Sequence, residues 1–200
     1  MSFLEELREQ RWDDHRYYHH SRVNQSLHLL SALCFVAAYA LVAFNPVASV
    51  FLAWFVAMWS RQIGHFFFEP KTYDVVNQAT HEYKEQIKIG YNLRRKVVLL
   101  AIWAVTPFAL YADPTLLGLL EAPADWSGFV HNLSVMWLLL AAAALGFRTV
   151  QLFFIRDVRT GLVWATKILT DPFHDIKLYH KAPIALLRGE TIDEMIGQRH

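Results

Sequence analysis

The chain has 200 residues, is 54% hydrophobic and carries a formal net charge of only +1. This is the length of a single domain, and no Gly/Ser/Pro-rich linker divides it. The basic residues are not gathered on one helix with aromatic residues between them, which argues against a nucleic-acid partner. Cys34 is the single cysteine, which excludes an internal disulfide and a cysteine-based zinc site.

The first twenty residues predict a retained helix rather than a cleaved signal peptide, because they are rich in acidic side chains. Aromatic and aliphatic residues stand among these charges, a composition that suits a helix lying along the membrane interface. An ordinary solvated helix is the alternative. Asn24 follows in the position of an N-cap, since its side chain can accept from the free amides of the next, apolar helix.

Four apolar runs of about membrane-spanning length come next. They are residues 27–44, a run that starts at Val47 and turns polar at Ser60, and residues 97–112 and 133–155. Only Asn45 and Pro46 separate the first two runs, which predicts an antiparallel hairpin. Pro107 lies inside the third run, where a membrane helix tolerates proline.

The distribution of Lys and Arg predicts the orientation of these runs. The linker 113–131 contains neither residue, whereas the segment 69–96 and the tail contain many. By the positive-inside rule, both termini lie in the cytoplasm. The predicted fold is all-α: a polytopic membrane protein with four transmembrane helices in two hairpins, divided into an interfacial segment (1–26), a four-span bundle (27–155) and a cytoplasmic helical tail (156–200).

Histidines concentrate at the predicted cytoplasmic ends of the spans. Apart from His131, assigned to the outside, and the terminal His200, the set comprises His15, His19, His20, His28, His65, His81, His174 and His180. His28 and His65 stand about one turn inside apolar helices, where an ionisable group is costly and usually faces a cavity or a partner. A functional role is therefore predicted for these two.

The spacing of the histidines limits how they can meet. On one unbroken helix, His19 and His28 would lie roughly 180° apart, so a shared ligand requires the chain to turn between them. His65 and Glu69 are four residues apart and share a helix face. The predicted hairpin brings this pair next to Asn24 and His28.

Imidazoles with a carboxylate are ligands of non-haem Fe(II) and of zinc, and spacing does not separate these metals. The alternative is structural: His28 and His65 hydrogen-bond across the hairpin, while Glu69 caps a helix end or pairs with Lys71. In the tail, Asp171 and Pro172 resemble a helix start. His174 and Asp175 are further ligands or supporting groups if the tail folds under the bundle, and otherwise belong to a plain surface helix.

The order HHxxxNxxxH, from His19 to His28, and then GHxxFE, from Gly64 to Glu69, resembles the membrane-bound 2-hydroxy fatty acid dioxygenase family. The likeness covers roughly residues 14–70. It implies an Fe(II)-dependent enzyme that uses O2 to shorten 2-hydroxy fatty acids by one carbon. One ion is expected, with zinc or a second ion left open. The expected metal residues are His19, His20, His28, His65, Glu69 and His174, and the expected catalytic residues are Asn24 and Arg61.

A fatty acyl substrate held at the bilayer follows from the same resemblance. Arg61 or Arg22 is then placed to meet the carboxylate, with Arg22 fitting better as an interface anchor. Phe35, Trp59 and the run 66–68 are candidates to line an acyl groove.

Two other functions stay open. A di-iron lipid hydroxylase or desaturase also gathers histidines on the cytoplasmic face of a four-span bundle, although His15 and His19 form the one close match to its histidine boxes. The other alternative is that the chain is a non-enzymatic, metal-binding membrane protein. The oligomeric state is not predicted.

Overall fold

The computed structural model describes residues 1–69, 72–75 and 77–194. Lys71 and the end of the predicted tail, including His200, lie outside these ranges. The described residues fold into helices joined by short connections, and they form isolated bridges but no β-strand. The all-α prediction is confirmed.

The helices are labelled α1 to α8 in chain order. They are α1 Phe3–Tyr18, α2 Arg22–Leu41, α3 Pro46–Phe68, α4 His81–Ile87, α5 Leu93–Ala112, α6 Trp126–Ile155, α7 Val158–Tyr179 and α8 Ala182–Leu187. By length and composition, α2, α3, α5 and α6 are able to cross a membrane. The four predicted apolar runs therefore correspond to four helices of spanning length.

Asn24 does not cap α2, so that prediction is wrong. The N-cap is Ser21, whose hydroxyl oxygen accepts from the Asn24 amide at 3.4 Å. A serine three residues earlier already fills the capping role, and the Asn24 side chain is left for a longer-range contact. The side-chain amide of Asn24 donates to the carbonyl oxygen of Tyr18 at 2.8 Å, and this bond ties the end of α1 to the start of α2.

α3 combines α-helical and π-helical turns. The π-helical stretches are Phe51–Met58 and Gly64–Phe68. Such stretches are rare and are frequent at functional sites, because the extra residue in a turn re-aims the side chains beside it. The second stretch carries His65.

α2 and α3 pack against each other near both of their ends. The Ser49 hydroxyl donates to the carbonyl oxygen of Ala38 at 2.9 Å near one end. Gly64 lies against the Asn24 side chain near the other end. These contacts place the start of α2 beside the end of α3.

α7 is continuous through Pro172, so the predicted helix start at Asp171 is wrong. Its N-cap is Asp157, whose side chain accepts from the Thr160 amide. Proline in a helix interior normally destabilises by about 3 kcal/mol. Packing against α1, α2 and α6 holds the helix together across this position.

One face of α7 is buried along most of its length, at every fourth residue: Val163, Lys167, Asp171, Asp175 and Tyr179. Lys167 binds the carboxylates of both Asp14 and Asp171, the latter at 2.7 Å. This burial excludes the alternative that the segment with Asp175 is a plain surface helix. α7 and α1 together cover the end of the bundle at which α2 starts and α3 ends.

Candidate metal centre

Three histidines from three parts of the chain meet beneath α1 and α7. His19 is the C-cap of α1, His28 lies in the second turn of α2, and His65 lies in the last turns of α3. One ring nitrogen from each lies within 4.8 Å of the other two, and the Nε2 atoms of His19 and His28 are 3.1 Å apart. The chain does turn between His19 and His28, as a shared ligand requires.

The hydrogen bonds on the outer side of the rings fix which nitrogens face inward. His28 Nδ1 lies 3.0 Å from the carbonyl oxygen of Asn24, and His65 Nδ1 lies 2.8 Å from Glu69 Oε2. The carbonyl of Asn24, and Glu69 in its carboxylate form, accept a hydrogen bond from a protonated Nδ1, and this assignment leaves the Nε2 lone pairs of both rings turned away from them.

This donor set fits a metal ion. Two imidazole nitrogens bound to one ion at about 2.1 Å each are about 3 Å apart, close to the separation between His19 and His28. His19 Nδ1 is buried and has no hydrogen-bond partner among the described residues. His28 and His65 each have an outer hydrogen-bond partner, the carbonyl of Asn24 and the carboxyl group of Glu69, and such a partner is typical of metal-bound histidine.

Burial favours the neutral form of both a histidine and a carboxyl group, and for histidine this is the form that binds a metal. It lowers the pKa of His19 well below the usual 6.5, because desolvation disfavours an imidazolium, and the ring stays neutral at physiological pH. Burial also raises the pKa of Glu69 to about 7. Glu69 lies behind His65 as its hydrogen-bond acceptor rather than within the group of three histidine nitrogens.

Gly64 makes the approach of α3 to α2 possible. A Cβ atom at this position would lie 2.1 Å from Asn24 Oδ1 and 3.3 Å from His28 Cε1. No larger residue fits unless the Asn24 side chain or one of the two helices shifts. The glycine of the second motif is therefore explained by sterics at the centre, and its backbone conformation is ordinary helix.

Two other predicted ligands lie elsewhere. His20 is buried beside Asp74, with its Nε2 3.4 Å from Asp74 Oδ2 and 3.4 Å from the Asn77 amide nitrogen. His174 is half-buried and lines the cavity described below. Neither belongs to the group that His19, His28 and His65 form.

A cavity of about 610 Å³ opens beside the three histidines. This volume lies within the range of small-molecule sites, roughly 300–1,000 Å³. Its lining is mostly apolar and includes Phe35, Trp54, Leu99, Leu100, Leu138 and Ala141. Both His28 and Val42 border it, and they are about 20 Å apart along α2 at 1.5 Å per residue. Of the predicted groove residues, Phe35 lines the cavity, whereas Trp59 and the run 66–68 do not. Trp59, Phe67 and Phe68 are instead exposed.

Five Lys and Arg side chains line the same cavity: Arg11, Arg61, Lys88, Lys96 and Lys167. Arg11, Lys88 and Lys167 are each in an ion pair with a carboxylate of the chain. Arg61 binds Asp175 of α7 through Nη2, and its Nε has no hydrogen-bond partner among the described residues. Lys96 of α5 forms no hydrogen bond or ion pair with the described part of the chain. Arg22, in contrast, lies away from the cavity lining and binds Asp193 at 2.9 Å.

Sequence reasoning missed Lys96 and Tyr179. The Tyr179 ring lies 5.7 Å from the His19 ring between centroids, and its hydroxyl lies 3.2 Å from His15 Nδ1. Tyr179 continues the four-residue spacing of buried positions on α7. That face is largely polar, so a search for hydrophobic periodicity does not find it.

Comparison with known families gives one match. The family model described as 2-hydroxy-palmitic acid dioxygenase Mpo1-like matches residues 6–80. Residues 6–80, fewer than half of the chain, are therefore similar to this family. The resemblance predicted from the two motifs is confirmed. No match was found among curated proteins or among solved structures.

The Mpo1-like segment carries all three histidines of the centre, together with Asn24 and Glu69. α5, α6 and α7 lie outside it. The side chains of Lys96 and Tyr179, which border the cavity or the centre, therefore come from the part of the chain beyond the match.

Proposed function

We propose that this protein is a membrane-embedded, Fe(II)-dependent dioxygenase that uses O2 to shorten 2-hydroxy fatty acids by one carbon. The observation that carries the proposal is the convergence of His19, His28 and His65 at one end of a long, mostly apolar cavity. The Mpo1-like match supports the class of enzyme and the lipid substrate.

His19, His28 and His65 would hold the ion, and their number leaves coordination positions for substrate and O2. When bound, the iron supplies the redox chemistry with O2. Asn24 and Glu69 hold the rings of His28 and His65 in the orientation and the tautomer that present Nε2 to the centre. Their role is to fix the geometry before substrate arrives.

The cavity explains how the substrate is oriented. An acyl chain would occupy the apolar part, while the carboxylate stays near the histidines. Among the cations on the cavity wall, Arg61 and Lys96 can each form a charge-assisted hydrogen bond with a carboxylate. Lys96 is available without breaking an ion pair, whereas Arg61 first has to share its guanidinium between Asp175 and the substrate.

We further propose that α2–α3 and α5–α6 form two transmembrane hairpins, with the metal centre and both termini on the cytoplasmic side. The Lys/Arg-free linker between α5 and α6 supports this orientation by the positive-inside rule. α1 would then lie along the cytoplasmic surface, with α7 covering the centre beside it.

The test is to purify the protein anaerobically, load it with Fe(II) and add a 2-hydroxy fatty acid and O2. The expected product is the acid one carbon shorter, with one iron per chain. Two irons per chain would favour a di-iron hydroxylase, and zinc without turnover would favour a non-enzymatic metal-binding protein. A non-hydroxylated fatty acid of equal length is the matched substrate control.

A further inference from the structure

A second pocket, separate from the metal centre, lies between the start of α5 and the end of α6. It has a volume of about 340 Å³. Four basic side chains line it: Lys88, Arg95, Arg148 and Arg156. Glu85 is the one acidic residue in this lining. The pocket is therefore positively charged, and the proposed dioxygenase activity makes no use of it.

Arg148 is the most informative residue of this pocket. It is 2% exposed, and its guanidinium donates to the carbonyl oxygen of Ile89 at 3.1 Å and to Gln151 Oε1 at 2.6 Å. These acceptors are neutral, and no carboxylate among the described residues pairs with Arg148. A buried charge is normally retained only with an opposite charge beside it. The guanidinium also donates to the carbonyl oxygen of Gly90 at 3.3 Å, so Arg148 has hydrogen-bond acceptors but no counter-charge among the described residues.

The other charges of the pocket do not supply that counter-charge. Glu85 binds Lys88 at 3.2 Å, so these two side chains offset each other. Arg95 and Arg156 are exposed and form no ion pair with the described part of the chain. Three guanidinium groups therefore remain without a carboxylate.

The position of the pocket indicates which kind of anion it would bind. α5 begins and α6 ends here, and both helices are of membrane-spanning length, so the pocket lies at the boundary between lipid and water. Leu152 and Ile155 add apolar surface on its wall. Arginine binds phosphate with paired donors, and basic pockets between membrane helices bind anionic lipid headgroups.

We propose that this pocket binds the phosphate group of an anionic phospholipid. The acyl chains would lie along the apolar ends of α5 and α6, while the guanidinium groups hold the phosphate. Phosphatidylcholine fits less well, because its choline adds a positive charge to a pocket that already has three.

The experiment is thermal unfolding of the purified full chain in a neutral detergent, followed by tryptophan fluorescence, with phosphatidylglycerol or phosphatidylcholine added at equal concentration. Ligand that binds only the folded state raises the midpoint. We expect phosphatidylglycerol to raise it by about 3 °C or more and phosphatidylcholine to leave it nearly unchanged. Equal responses to the two lipids would overturn the proposal.

The variant Arg95→Gln/Arg156→Gln should lose most of the phosphatidylglycerol response. Its matched control is Arg94→Gln/Lys181→Gln, which removes two exposed basic residues outside the pocket and should keep the response. Loss of response in both variants would show a general charge effect and reject the site. A shift with inorganic phosphate as large as that with phosphatidylglycerol would reject the lipid as the source of the phosphate.

Discussion

His28 illustrates how the centre is specified residue by residue. Its ring is 1% exposed, and its Nδ1 is held by a carbonyl oxygen from its own helix, one turn earlier. The same spacing of four residues links His65 to Glu69 on α3. These local pairs are readable from the sequence, because residues four apart on a helix always lie on one face.

We expect His28→Ala and His65→Ala each to abolish iron binding, since each removes one of the three proposed ligand nitrogens. Iron per chain is measured after anaerobic loading with Fe(II) and gel filtration. His131→Ala is the matched control, because His131 is exposed and lies in α6 near the linker end of the molecule. Retention of iron by both His28→Ala and His65→Ala would disprove the ligand assignment.

Glu69→Gln should weaken Fe(II) binding roughly tenfold, which is the lower end of the effect of losing an outer carboxylate partner of a metal-bound histidine. The amide can still accept from His65 Nδ1 but no longer adds negative charge behind the ring. The dissociation constant is measured by competition with a metal-sensitive dye. Glu82→Gln, at an exposed position on α4, should bind iron like the unmodified protein.

At the scale of helices, the close approach of α3 to α2 and the docking of α7 determine the shape of the centre. Neither feature follows from helix propensity. The approach depends on one glycine at the contact. The docking depends on a buried polar face whose charges are paired with α1, as between Lys167 and Asp14.

We expect Gly64→Ala to destabilise the protein by about 1–3 kcal/mol and to weaken iron binding, because the new methyl group overlaps Asn24. Gly146→Ala is the control: a Cβ there meets nothing within 4 Å, and alanine is the better helix former. Thermal midpoint and iron content are the measurements. Identical behaviour of the two variants would mean that the helices are not in contact at Gly64.

Lys84, which lies outside the membrane-spanning helices, ties α4 to Asp74 and to the end of α1. Lys84 is fully buried, binds Asp74 at 2.8 Å and donates to the carbonyl oxygen of Tyr17 at 3.2 Å. Burial alone would raise the pKa of Asp74, but hydrogen bonds from Lys84 and Asn77 outweigh it and lower the pKa to about 2, from the usual 3.8.

A carboxyl group whose pKa is lowered on folding stabilises the fold above its unfolded pKa, and this contribution is lost as pH falls through the folded value. We therefore expect the unmodified protein to lose at most about 2 kcal/mol from this pair between about pH 4 and about pH 2. Asp74→Asn should lack this part of the pH dependence and be less stable near neutral pH. The thermal midpoint of both proteins is measured against pH. Parallel curves for the unmodified protein and Asp74→Asn would contradict the prediction.

At the scale of the whole molecule, charge and metal ligands share one end. The start of α2, the end of α3, the start of α5 and the end of α6 all lie beside charged segments, whereas the linker between α5 and α6 has no basic residue. This asymmetry predicts one orientation in the bilayer.

We expect a cysteine at position 121 to react with a membrane-impermeant maleimide in intact cells and a cysteine at position 181 to react only after lysis. The substitutions are Glu121→Cys and Lys181→Cys, each in a Cys34→Ser background, and both positions are exposed. Labelling of position 181 in intact cells would reverse the proposed orientation.

Composition, and spacing within about one helical turn, were enough to predict the helical class, the four apolar helices and the two histidine motifs. The sequence also showed that His19 and His28 could meet only across a turn. The cap of α2 was assigned to the wrong residue, since Asn24 and Ser21 are both good caps and only the structure shows which one turns inward.

Three features depend on the folded chain: α7 continues through Pro172, cations line the cavity, and Glu69 lies behind His65. Each of these depends on contacts between residues far apart in the chain, where burial and pairing of polar groups outweigh local preference. The spacing of the motifs brings histidines to the ends of helices, and the packing of α1, α3 and α7 makes them one centre.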